Sequence, residues 1–157
     1  MSPKKEFEIP SVEFPNGDQI TEAVLKIQQT LLAEANRKAD SEKLEKALTE
    51  IATQAWRARS KMIDSSTGEA REEMKRVFRH VESILEKLRE IGLELKDHTV
   101  DVFDYGLPLK VIATQPQPDI TRENVIETIK PTIYWQDRIV QMGEVVIATP
   151  EPSTPAE

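Results

Sequence analysis

Two histidines and three closely spaced aspartates are the side chains best suited to chemistry in this sequence: His80, His98, Asp97, Asp101 and Asp104. A histidine acting as general base or metal ligand needs a second group at a workable spacing. Neither His80, on the polar shoulder of a helical stretch, nor His98, among charges ahead of a strand-rich region, has one. Both read as solvated side chains. Extended backbone would put Asp97 and Asp101 on one face, but Asp104 falls in the turn at Gly106, and the spacing fits no calcium loop. The trio reads as a solvated edge, with Asp104 capping a turn. Cysteine is absent, which removes thiol nucleophiles, thiolate metal sites and disulfides. No glycine-rich phosphate loop or nucleophile elbow occurs. The expectation is a protein that is not an enzyme, without catalytic residues, metal or cofactor.

Composition points to interaction rather than catalysis. A chain of 157 residues makes one compact unit, or a helical part plus one small domain. Charged residues reach 31% and aromatics only 5%, a mix suited to long solvated helices rather than a thick core. The acidic balance, with a pI near 5.0, argues against duplex nucleic acid and against an anionic membrane surface. The N-terminus carries no apolar leader, and no stretch approaches the roughly 20 apolar residues of a membrane span, so a cytoplasmic protein is expected.

Periodicity divides the chain into four zones. Residues 1–17 and 150–157 are rich in proline and charge and are expected to be mobile tails. Residues 18–92 are expected to form a helical dimerisation stalk and bundle. Ile20, Val24, Ile27 and Leu31 alternate spacings of four and three, a stripe that wants a partner helix. The stripe fades over residues 34–43 and resumes out of register at Leu44, Leu48, Ile51, Ala55, Ala58 and Met62. A continuous coiled coil would need a local adjustment or a break there. Unbroken, this helix would be about 70 Å long, natural for a dimer stalk. Trp56 either anchors a partner or packs beside the helical seam, and the apolar residues around it favour the seam.

A second helix is expected after a turn at residues 64–68, with Ser66 and Glu69 spaced as a capping box. Met74, Val77, Val81, Ile84, Leu88 and Ile91 keep heptad spacing. Gly92 is placed for a left-handed cap, with Leu93 packing back. Two such helices make a hairpin, and two hairpins would close a four-helix bundle through Leu48, Ile51, Met74, Val77, Val81, Ile84 and Leu88. Residues 93–149 then switch to a period of two, with strand-like runs at 99–103, 109–114, 124–129, 132–135, 138–142 and 144–149 and a tight turn at Gln136 and Asp137. The fold class is α+β: a long helical hairpin forming a dimeric coiled coil or four-helix bundle, followed by a small all-β domain.

The last third of the chain resembles the GrpE family, the dimeric nucleotide-exchange partners of DnaK-type chaperone ATPases. The residues that carry the likeness are Leu88 to Leu93 at the helix stop, Phe103-Asp104-Tyr105-Gly106, Glu123 to Ile129, and the closing stretch from Asp137 to Ala148. Pro131-Thr132-Ile133 stands where the family typically has Lys-Gly-Tyr, Gln141 replaces the second arginine of an Arg-x-x-Arg-Pro-Ala run, and the Leu-Leu-Pro-Val-x-Asp signature is absent from residues 51–62. The resemblance implies a homodimeric co-chaperone that promotes ADP release from a DnaK-type chaperone ATPase. It places partner contacts on Ile129, Arg138 and Ile147. Nothing in the stalk is expected to depend on Arg138. The alternative is a GrpE-like dimeric scaffold or adaptor without exchange activity.

Overall fold

The computed structural model describes residues 11 and 16–151, so most of the expected tails lie outside the described residues. The fold is α+β, with two helices followed by six strands. Helix α1 (Gly17–Met62) runs 46 residues, through the stretch where its apolar stripe lapses. Asn16 starts it: its side chain accepts the Gln19 N–H at 2.9 Å, and the Gln19 side chain accepts the Asn16 N–H at 3.2 Å. That reciprocal pair is a capping box.

The box expected at Ser66 and Glu69 does not form. Asp64 takes over the turn, its carboxylate accepting both the Ser66 N–H, at 2.8 Å, and the Ser66 hydroxyl, while the Glu69 N–H that a capping box would hold donates instead to the Thr67 hydroxyl oxygen at 3.3 Å. The hydrogen bonds from Ser66 hold the Asp64 carboxyl below the usual carboxylate range. Asp64 N–H donates to the Glu69 carbonyl at 2.8 Å, and Ile63 and Ala70 pair as an isolated bridge. A short 3₁₀ turn (Glu72–Met74) precedes helix α2 (Lys75–Glu90), whose N-cap Met74 makes no side-chain cap bond. Gly92 ends α2 as the sequence predicts, with φ +87° and its N–H on the Arg89 carbonyl at 2.9 Å.

The strands form two three-stranded sheets. In the first, β1 (Leu93–Lys96), β4 (Thr132–Trp135) and β5 (Arg138–Gln141) run antiparallel in the order β1-β4-β5. In the second, β6 (Gly143–Pro150) lies between β2 (Leu109–Gln117), to which it is parallel, and β3 (Asn124–Lys130), to which it is antiparallel. Pro116 is tolerated in β2 because an edge strand has one side without a ladder to complete. The strand predicted at 99–103 is absent. Val100 turns to φ +70°, a conformation that breaks extended backbone, and only the bridge from Val102 to Asn124 remains. Leu93, predicted as a packing residue behind the helix cap, is buried but opens β1.

The chain divides into two compact units, Met1–Glu42 and Lys43–Glu157. In the first, the described part of α1 leaves Ile20, Val24, Leu25, Ile27, Leu31 and Leu32 exposed. In the second, helices and sheet share one core: Ala52 of α1, Leu88 of α2, Leu93 of β1 and Ile133 of β4, flanked by Leu48, Leu95, Trp135 and Val140. Full burial of such side chains stabilises by about 1.5–3 kcal/mol each. A smaller cluster of Val125, Val145 and Ile147 holds the second sheet together with Phe103, Leu109 and Val111. Gly143, at the start of β6, is required by space, since a Cβ there would lie 2.7 Å from both Leu109 Cδ2 and Thr132 Oγ1.

Candidate interaction site

The three residues expected to meet a partner occupy different environments. Arg138 opens β5 after a turn whose two residues, Gln136 and Asp137, are both left-handed at φ +50° and +64°. This is the two-residue turn that matches strand twist, built without glycine. The Arg138 side chain is 65% exposed, yet its guanidinium pairs with Glu45 of α1. The helical part is therefore not indifferent to Arg138, a correction to the sequence expectation. Ile129, near the end of β3, is half-buried, and its carbonyl accepts the Arg57 guanidinium at 3.4 Å. Ile147 is only 2% exposed and packs on Val125 and Val145. It is a core residue and offers no side chain to a partner.

The helical seam also splits. Val81 and Leu88 are buried within their own chain, Leu48 and Met74 are half-buried, and Ile51, Val77 and Ile84 are exposed. Leu44 and Ile91 are exposed as well, so Leu44 and Ile51 on α1, and Val77 and Ile84 on α2 with Ile91 at its C-cap, leave open apolar stripes repeating every seven residues. Trp56 packs at the seam, and Arg59 bridges the two helices, paired with Glu82 and 5.6 Å over the Phe78 ring. One heptad pattern thus serves two faces, the inner covered by the sheet of β1, β4 and β5 and the outer open.

His98 overturns its expected solvation, because it is fully buried between the two sheets. Its Nδ1 faces Asp101 Oδ2 at 3.2 Å, its Nε2 lies 2.9 Å from Thr132 Oγ1, and its backbone N–H donates to Thr128 Oγ1 at 3.1 Å. The carboxylate can only accept, so Nδ1 carries the proton and the Thr132 hydroxyl donates to Nε2. Burial pushes the imidazole below its ordinary pKa, and the Asp101 hydrogen bond opposes that shift. An acid, an imidazole and a hydroxyl in line form an arrangement that could activate a nucleophile. Here the hydroxyl is sealed: Thr132 is fully buried and also accepts the Gly143 N–H at 3.1 Å. The network ties β4 to β6 and the loop after β1.

The remaining aspartates serve their own turns. Asp97 Oδ1 accepts the Thr99 N–H at 2.9 Å, and Asp104 Oδ1 accepts the Gly106 N–H at 2.8 Å. Burial opposes ionisation of Asp97, but hydrogen bonds from Thr99, Thr128 and Trp56 outweigh it and hold the carboxyl below its usual range. Sequence reasoning missed the partnership of His98 with Thr128 and Thr132. The available signal was two threonines at inward-facing positions of strands that otherwise bury aliphatic residues.

No protein-family model matches this chain, and no curated protein sequence does. The geometry therefore carries the functional reading, and it offers surfaces: an open heptad face on two helices and a polar groove where α1 meets β3. Among the described residues, no helix is long and apolar enough to cross a membrane.

Proposed function

We propose that the protein is a GrpE-like co-chaperone, a homodimer that promotes ADP release from a DnaK-type chaperone ATPase in the cytoplasm. The observation that carries this reading is the outer heptad face of Leu44, Ile51, Val77, Ile84 and Ile91, left open on two helices whose inner face is already packed. Two adjacent helices with an uncovered apolar stripe gain most from a second pair, and a twofold axis supplies it. Arg138 and Ile129 supply the ATPase contact, while Ile147 supports the strand behind them. The mechanism is a population shift. Preferential binding to the open ATPase lobe arrangement requires, by linkage, that ADP bind more weakly in the complex.

A fluorescent-ADP release assay with the DnaK-type ATPase of the same cell tests activity, and sedimentation tests the dimer. Faster ADP release and a dimeric mass are expected. A monomeric mass or an unchanged release rate would sink the reading. The alternative, a GrpE-like scaffold without exchange activity, draws support from Arg138, which already pairs with Glu45, and from the burial of Ile147. That alternative expects the dimer but no change in ADP release.

A further inference from the structure

We propose that the groove between the polar face of α1 and strand β3 binds an extended acidic segment of a partner polypeptide. Lys46, Glu50, Arg57 and Lys61 recur at helical spacing on one side of α1 and form one wall, and Ile129 and Lys130 stand on the other. Two open cavities of about 390 and 490 Å³ lie along this line, and Arg57 borders both. The groove is long. Lys46 and Lys61 are separated by about 22 Å along the helix axis, the span of six or seven residues of extended chain. A compact anion would engage only one end of it.

The charge of the groove runs against that of the whole protein. Lys46, Arg57, Lys61 and Lys130 face two carboxylates, Glu50 and Glu127, on a chain with a formal net charge of −7. Arg59 and Arg138 nearby are neutralised by Glu82 and Glu45. None of the three groove lysines has an ion-pair partner among the described residues. Among the described residues Arg57 makes only the bond to the Ile129 carbonyl, which leaves most of its guanidinium donors for a ligand. Trp56 borders one cavity but is mostly buried, so the groove presents no open aromatic face on which a nucleic-acid base could stack. Carboxylate side chains on an extended backbone fit both the length and the charge. The groove shares Ile129 with the proposed ATPase contact, but its charge and length, and the peptide titration that tests them, do not depend on the exchange-factor reading.

The test is anisotropy titration of the full chain with a fluorescein-labelled heptaglutamate peptide at low salt. Saturable binding is expected, weakened at least tenfold in a Lys46→Glu, Lys61→Glu double variant and less than twofold by Lys110→Glu on exposed β2. Circular dichroism checks that the variants keep their fold, and Arg57→Gln at the junction supplies an independent variant with an expected loss of severalfold. Absence of binding by the unmodified protein would overturn the proposal. So would equal losses in the Lys110→Glu control, which would indicate diffuse attraction. Competition by inorganic phosphate at the same concentration as the peptide would also overturn it, indicating a small-anion site.

Discussion

The two portions of helix α1 carry the same kind of apolar repeat and meet different fates. Up to Glu42, Ile20, Val24, Ile27 and Leu31 all stay exposed. Beyond Lys43, Ala52, Ala55 and Trp56 are buried, because α2 and the sheet of β1, β4 and β5 supply a cover. A heptad thus specifies that a helix has an apolar face and leaves open what covers it. The lapse over residues 34–43 separates the two portions without ending the helix. Continuing a helix costs little once it is nucleated, whereas covering it needs residues far away in the chain.

The strongest way to break this contrast is to remove the cover. Leu88→Asp should unfold the Lys43–Glu157 unit, costing about 4 kcal/mol or more, because an ionised carboxylate would replace a packed aliphatic side chain. Ile84→Asp, on the open face, should leave the fold intact and separate the proposed dimer. Thermal melts with sedimentation distinguish the two, and similar melting temperatures for both would contradict the division into inner and outer faces.

Gly143→Ala strains the junction behind that cover, where β6 of the second sheet meets Thr132 of β4. The added Cβ must displace Leu109 or Thr132, at an expected cost of about 1–3 kcal/mol in denaturant unfolding. A neutral result would mean that the strands yield at this point. Within α1 itself, amides of residues 34–43 should exchange at least tenfold faster than those near Ala52, equivalent to about 1.4 kcal/mol of local stability. Uniform protection along the helix would contradict that ranking.

Acidification should erode the covered portion through His98. The unfolded imidazole takes a proton near its ordinary pKa of 6.5, while the folded one resists it, so below that pH the unfolded state holds more protons. Stability should therefore be fully present above 6.5 and decline as pH falls toward the lower folded value. His98→Gln should flatten that part of the profile. The Asp97 contribution is separable, since its lowered pKa confines the loss to pH below the ordinary carboxylate value of 3.8. The smallest effect expected is a gain: Asp137→Gly should relieve a left-handed non-glycine position in the β4–β5 turn and stabilise by about 0.5–1 kcal/mol. A loss of stability would show that the Asp137 side chain serves the turn in another way.

The sequence by itself determined what depends on near neighbours. The apolar period marks both helices, and Gly92 stops α2 because a left-handed cap favours glycine. Alternation and proline punctuation locate the strands from Leu109 onward, and the tight turn at Gln136 and Asp137 is legible without its usual glycine. The missing cysteines exclude thiol chemistry outright. Tertiary structure decided the rest, because burial and pairing depend on groups tens of residues apart. Ser66 had the right spacing for a cap, but its hydroxyl turned to Asp64 and the Glu69 N–H went to Thr67. His98 looked solvated among charges until Thr128 and Thr132 closed over it, and Arg138 found Glu45 on a distant helix. Which half of each heptad faces inward is likewise settled only when the sheet arrives to cover it. Local spacing sets the side on which a residue points, and the free energy of covering that side comes from the whole fold.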